Sequence, residues 1–212
     1  MDGSPEPSTS YSKVVEEQQH QDYGAGKQGA HVVLLFIVTI ISLIMISIGL
    51  GTALFSKNTQ LVKASTTMWI QEYCITGSAC RSVTLPDSAT CASWRSRQRA
   101  IQGFGILSLL SGVVAAVFCV LDVVQRCPHH MLPLATFILL TSFTFLEWTV
   151  AAGSYHSEIC GAIPMSASGY KLSVAFALFV CLWFLQMVMI VFYVIKRYLG
   201  SYKEKALNHA NR

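Results

Sequence analysis

Two cysteines stand six positions apart in WIQEYCITGSAC, Trp69 to Cys80, a polar segment between two long apolar runs. Such a pair can be a disulfide, half of a metal site or a redox couple. A metal ion asks for three or four closely spaced ligands, and His156 is the one histidine that shares a side with these thiols. A redox couple is spaced C-x-x-C, whereas Cys74 and Cys80 enclose five residues. Two cysteines flanking a GS turn can instead face each other across a hairpin at the Cα separation of about 5.5 Å that a disulfide needs. Cys91 and Cys160 lie in polar segments on the same side, so four cysteines allow three pairings. The favoured pairing is Cys74 with Cys80 and Cys91 with Cys160, which ties two loops together.

Carboxylates inside apolar runs are the second chemical feature. Asp122 in CVLDVV and Glu147 in FLEWTV each fall within about two turns of a run's end. Ionisable groups there are costly and often mark ion or proton routes. They can also be paired structurally: Arg126 is four residues beyond Asp122 on one helical face, and Arg99 enters on the side of Glu147. The structural role is the expectation, and conduction by Asp122 and Glu147 the alternative. The six histidines, His20, His31, His129, His130, His156 and His209, form no convergent cluster, and no glycine-rich phosphate loop occurs. No enzyme, cofactor, metal site or nucleic-acid partner is expected.

The elements that must carry these residues follow from composition. Of 212 residues, 53% are hydrophobic and only 12% charged, with mean hydropathy +0.49, about half the charge of an ordinary soluble domain. Val32 to Phe55, Ala100 to Val124, Met131 to Ala152 and Leu172 to Ile195 each hold enough apolar residues to cross a hydrocarbon core roughly 30 Å thick. Nothing alternates as barrel strands do, so each is expected to be helical. The fold class is an all-α integral membrane protein: a four-helix transmembrane bundle, claudin-like, with a small extracellular β-hairpin or sheet in the first outer loop. The lipid bilayer is its first partner.

Four spans place both termini on one side. Lys and Arg near the spans divide eight against seven, which does not orient the chain by the positive-inside rule. The cysteines decide: Cys74, Cys80, Cys91 and Cys160 share a side, as an oxidising compartment favours, while Lys196, Arg197, Lys203 and Lys205 suit an anionic cytoplasmic leaflet. The expected layout is a disordered cytoplasmic leader, 1–30, a membrane domain, 31–196, and a basic cytoplasmic tail, 197–212. The leader is rich in Pro, Ser, Gln, Gly and charge, and lacks the basic start and cleavage site of a signal peptide. The first span therefore reads as a retained anchor at the plasma membrane. Outer loops cover 56–99 and 153–171. The first is long enough to require order of its own, and TTMWIQEYCIT with ACRSVTL reads as a hairpin around GS.

Helices in lipid gain little from apolar contact with each other, so small residues that admit close backbone approach matter. Ser108, Gly112 and Ala116 form such a stripe on the second span, and Gly49 with Ala53 repeats the spacing on the first. Arg95, Arg97 and Arg99 read as an interfacial helix entrance. Tyr11 to Val14, YSKV, has the form of a short sorting signal.

A tetraspan order, a Trp beside paired cysteines in a long first outer loop, and a basic approach to the second span, CASWRSRQRAIQGFGILSLL, resemble the claudin superfamily. The chain is more closely similar to the amastin surface glycoproteins of kinetoplastids. CITGSAC keeps Cys74, Ile75, Thr76, Gly77 and Cys80 of that family's loop signature, beside Trp69, but lacks the aromatic pair before the glycine and one residue before the second cysteine. In the last span Phe176, Ala177, Leu178, Phe179, Val180 and Trp183 follow the family's order. The resemblance runs from about Ser42 to Ile195. It implies a non-catalytic plasma-membrane surface protein acting in host or cell-surface contact, self-association, membrane organisation or solute traffic. No N-x-[ST] sequon occurs, so N-glycosylation is not expected.

Overall fold

The computed structural model describes residues 31–85, 91–124, 131–158, 160–161 and 163–210. The leader, the YSKV motif, Arg126 and the Cys127–His130 turn lie outside them. Four helices are long and apolar enough to cross a membrane. These are α1 (His31–Gly51), α2 (Ala92–Val123), α3 (Leu132–His156) and α4 (Val174–Ala210). The protein is a multi-pass membrane protein.

The helices do not end where the apolar windows end. The first stops at Gly51 instead of running to Phe55: Leu54 and Phe55 are apolar because they are buried under a sheet, not because they face lipid. The second begins at Ala92, eight residues before its window. At 1.5 Å per residue a helix of 32 residues is about 48 Å long, so about two turns bearing Arg95, Arg97 and Arg99 extend beyond the hydrocarbon. The α4 backbone continues helical past Ile195 to Ala210.

All four helices bury residues at alternating steps of three and four. On α2 the inward set is Trp94, Gln98, Ile101, Gly105, Ser108, Gly112, Ala115 and Cys119. On α4 it is Ala175, Phe179, Leu182, Gln186, Met189 and Tyr193. A repeat of 3.5 residues is the seam of coiled-coil-like packing, as in four-helix bundles. Glycine contacts fix the register. A Cβ on Gly105 would lie 3.1 Å from Glu147 and 2.7 Å from Leu50, and one on Gly112 would lie 3.6 Å from Leu140 and 2.7 Å from Leu43. Seven residues forward on α2 is thus seven back on both α3 and α1. The same shift relates Gly49 against Phe179 to Ser42 against Gln186, whose amide donates to the Ser42 hydroxyl at 3.3 Å. Neighbouring helices run antiparallel.

The bundle is inverted relative to a soluble one. Its outer faces are Ile, Leu and Val, including Ile37, Ile44, Leu110, Val117 and Val188, while Thr39, Ser42, Ser108, Thr141, Thr144, Glu147 and Gln186 are buried. Lipid is the solvent that makes this arrangement stable. Thr39, Ser42, Thr141 and Thr144 each donate to the carbonyl four residues earlier, so their hydroxyl protons are satisfied within their own helices.

At one end of the bundle sits an antiparallel sheet of order β4-β3-β2-β1-β5. Its strands are β1 (Phe55–Asn58), β2 (Val62–Thr66), β3 (Ile70–Ile75), β4 (Arg81–Thr84) and β5 (Lys171–Leu172). The expected hairpin is β3–β4, and it is only part of a larger sheet. The β3–β4 turn has Ser78 N–H donating to the Ile75 carbonyl at 2.9 Å, with Gly77 at φ +88°. Type II turns require that conformation at their third residue, where glycine alone is unstrained.

Candidate functional site

The sheet and the loop between α3 and α4 form one cap, and covalent links hold it. Tyr73 pairs with Arg81, and one step further along the same register Cys74 is bonded to Cys80 with Cα atoms 4.2 Å apart. Cys91, the residue that precedes the first turn of α2, is bonded to Cys160, with Cα atoms 5.9 Å apart and a sequence separation of 69. Cys160 and Gly161 both have left-handed backbone, φ +63° and +71°. That conformation is strained for the cysteine.

Non-covalent contacts finish the bracing. Ser56 pairs with Lys171 and Phe55 with Leu172, and beyond them the N–H of Ala175 donates to the Ala53 carbonyl. The junction from α1 into the sheet is thereby strapped to the junction from the second loop into α4. Arg97 donates to the Gly153 carbonyl at 3.3 Å and to the Ser157 hydroxyl, joining the Ser157 N–H, which donates to the same Gly153 carbonyl at the end of α3. The Tyr155 hydroxyl donates to the Tyr170 carbonyl at 2.8 Å, and its ring stacks on buried Phe55. Burial pushes the Tyr170 hydroxyl above its usual range and the neighbouring Tyr73 adds to this, while a hydrogen bond with Gln71 pulls the other way. The Lys57 ammonium lies 5.6 Å from the Tyr170 ring centre, at cation–π distance.

Met68, in the β2–β3 turn, plugs the sheet into the bundle. It is fully buried, and its sulfur lies 3.5 Å from the position a Cβ on Gly105 would take. The Gln102 side chain donates to the Met68 carbonyl at 2.9 Å and to the Leu85 carbonyl at 3.4 Å.

The small-residue stripes divide. Gly49, Ser108 and Gly112 are buried at helix contacts, whereas Ala116 is half-buried beside the seam residue Ala115. Ala53 lies beyond the end of α1 and acts through its backbone carbonyl. The pairing of Glu147 with Arg99 is not formed. Both Glu147 oxygens are buried without a hydrogen-bond partner among the described residues, and Arg99 is exposed. The reason is angular: Gln98 occupies the inward seam, and the next residue points about 100° away. Asp122 lies about 25 Å from the Glu147 level, measured along α2. Between them the seam passes Phe137, Leu134, Leu35 and Cys119, all apolar and buried. The two carboxylates do not form one site.

The family-motif residues scatter in the same way. Trp69 is more than a third exposed at the foot of the sheet, and its carbonyl accepts from Leu85 N–H. Ile75 is exposed at the sheet tip, where the Thr76 hydroxyl donates to the Gln60 carbonyl. Phe179 is fully buried against Gly49. Phe176 and Trp183 join Trp148 and Phe145 in an aromatic cluster between α3 and α4.

A family model described as Amastin surface glycoprotein matches residues 32–193, from the first turn of α1 through the cap and deep into α4. The chain belongs to the amastin family. No curated protein matches it. The amastin match runs from α1 through both disulfides and the sheet into α4. That description names a surface glycoprotein and no reaction. The residues of this amastin whose roles the sequence does not announce are Met68, Gln102 and Tyr155. Each acts across more than 30 residues of sequence or through a backbone carbonyl, and neither leaves a periodic signal.

Proposed function

We propose that this protein is a non-catalytic surface protein whose cap faces the extracellular medium, with both termini cytosolic at the plasma membrane, and makes cell-surface contacts with a partner or another copy. The observation that carries this reading is that both disulfides lie in the cap. Disulfides persist in oxidising compartments and are rare in the cytosol. Cysteines of the described spans, Cys119 and Cys181, are not in disulfides.

The cap is built to present a fixed surface. Its strands are hydrogen-bonded to one another and cross-linked within the sheet, and the residue that leads into α2 is cross-linked to the second loop. Leu61 and Ile75 stand out from the tip, 72% and 56% exposed, on a scaffold that needs neither for its core. Rigid presentation lowers the entropic cost of binding. Cross-linking on intact cells tests the reading. A membrane-impermeant reagent should capture a partner or a second copy through Lys57, Lys63 or Lys171, and capture that survives removal of the cap's lysines would refute a role for this surface.

A further inference from the structure

Glu147 has no visible means of carrying a charge. It is fully buried, and neither carboxyl oxygen has a hydrogen-bond partner among the described residues. Its neighbours come from three elements: Leu50 on α1, Gly105 on α2, and Met68 from the β2–β3 turn. On α4, Phe179 closes over Gly49, the residue next to Leu50. None of these titrates. The charged groups nearest in sequence on the same elements, Arg99 on α2, Lys63 and Glu72 on the flanking strands and Lys196 on α4, are all exposed, and Asp122 is at the far end of the bundle.

Room for the carboxyl depends on Gly105. A methyl there would crowd Oε1 at 3.1 Å and strike Leu50 at 2.7 Å. Met68 sits over the same notch from the cap side, held by Gln102. On the other side the antiparallel register places Ser108 and Thr144 at the next level, followed by Ser42 and Gln186, and then Thr39, whose hydroxyl is bonded within its own helix, with the apolar Leu35, Leu134 and Phe137. The end of the bundle nearest Glu147 is the end that carries the cap.

We propose that Glu147 is a proton-binding site, exchanging its proton with solvent on the cap side, with Met68 as the lid. An ionised carboxylate here would face hydrocarbon, a thioether and glycine, without a counter-ion or donor. A metal ion would need several oxygen ligands, and the walls supply one carboxyl group. The neutral acid fits these apolar surroundings. Transfer of its proton to water leaves one carboxylate and one hydronium ion. The carboxylate then requires water, which enters where Met68 stands, so loss of the proton loosens the cap from the bundle. The proposal rests on the bundle and its register, and holds whichever face of the membrane the cap occupies.

The test uses the full chain in lipid nanodiscs. Infrared spectroscopy should show the carbonyl stretch of a protonated carboxylic acid at neutral pH, absent in Glu147→Gln and retained in Asp122→Asn. As pH rises the wild-type band should vanish, and over the same interval peroxide oxidation of Met68, read by mass spectrometry, should accelerate several-fold. Exposed Met131 is the internal control and should keep its rate. In Glu147→Gln, Met68 oxidation should stay slow at every pH. A wild-type spectrum without the band, a band that survives Glu147→Gln, or oxidation of Met68 that ignores pH in the wild type would overturn the proposal. Should Glu147→Gln fail to fold, coincidence of band loss and Met68 oxidation in the wild type still decides, and its absence refutes.

Discussion

The Gln102 side chain on α2 donates a hydrogen bond to the backbone carbonyl of Met68, 34 residues earlier in the chain, across 2.9 Å. Through this bond the transmembrane bundle grips the turn that plugs it. A second, longer bond to the Leu85 carbonyl extends the grip to the end of β4. Replacing Gln102 by Leu removes both donors and leaves two partly buried carbonyls unpaired, at a cost of about 1–3 kcal/mol. Thermal unfolding in detergent should register the loss, and faster tryptic cleavage at Lys63 and Arg81 should accompany it.

The two disulfides should contribute unequally. In the chain-entropy account a bond closing 69 residues, Cys91–Cys160, is worth about 4 kcal/mol, and one closing six, Cys74–Cys80, about 2 kcal/mol. Cys91→Ser with Cys160→Ser should therefore lower the unfolding midpoint more than Cys74→Ser with Cys80→Ser. The opposite ranking would mean that the second loop is already fixed by Arg97, Tyr155 and β5.

Glycine substitutions should rank by what the new methyl meets. In Gly49→Ala the methyl enters the Phe179 ring at 2.6 Å, and a buried ring cannot yield by rotating about one bond. In Gly112→Ala it meets Leu43 Cδ2 at 2.7 Å, the flexible end of a side chain. Gly103→Ala meets nothing within 4 Å. Overpacking costs about 1–3 kcal/mol, so Gly49→Ala should destabilise most, Gly112→Ala less, and Gly103→Ala should be neutral or stabilising through helix propensity. Melting curves of the three variants check the order.

Much of the bundle was legible in the sequence because lipid imposes a length and a composition, and a 3.5-residue seam passes through Ser108 and Gly112 as it passes through any small residues. The sheet was legible only where β-branched and aromatic residues crowd, as in β3. The strand β2, VKAST, turns Ala64 and Thr66 inward, and small residues do not announce a buried face. Leu54 and Phe55 read as lipid-facing because burial under a sheet and burial in lipid select the same residue types. Glu147 lay near a window's edge and read as interfacial. Its position became interior once the cap closed over it, a tertiary fact without a local signal.

Tyr170 gives the cap a pH limit. Its hydroxyl ionises at higher pH when folded than when unfolded, chiefly because it is buried. The sign follows: the contribution to stability is complete below about pH 10, the ordinary tyrosine value, and is lost as pH rises through the folded value. Thermal unfolding of the wild type above pH 10 should fall more steeply than that of Tyr170→Phe, and ultraviolet titration should lack one late tyrosinate step in the variant.

Sidedness is the claim on which the proposed role depends, and labelling of lysines on sealed cells with a membrane-impermeant reagent addresses it directly. Lys57, Lys63 and Lys171 in the cap should be modified on intact cells, while Lys203 and Lys205 beyond the last span should react only after permeabilisation. Modification of Lys203 and Lys205 on intact cells, with the cap lysines protected, would contradict the account.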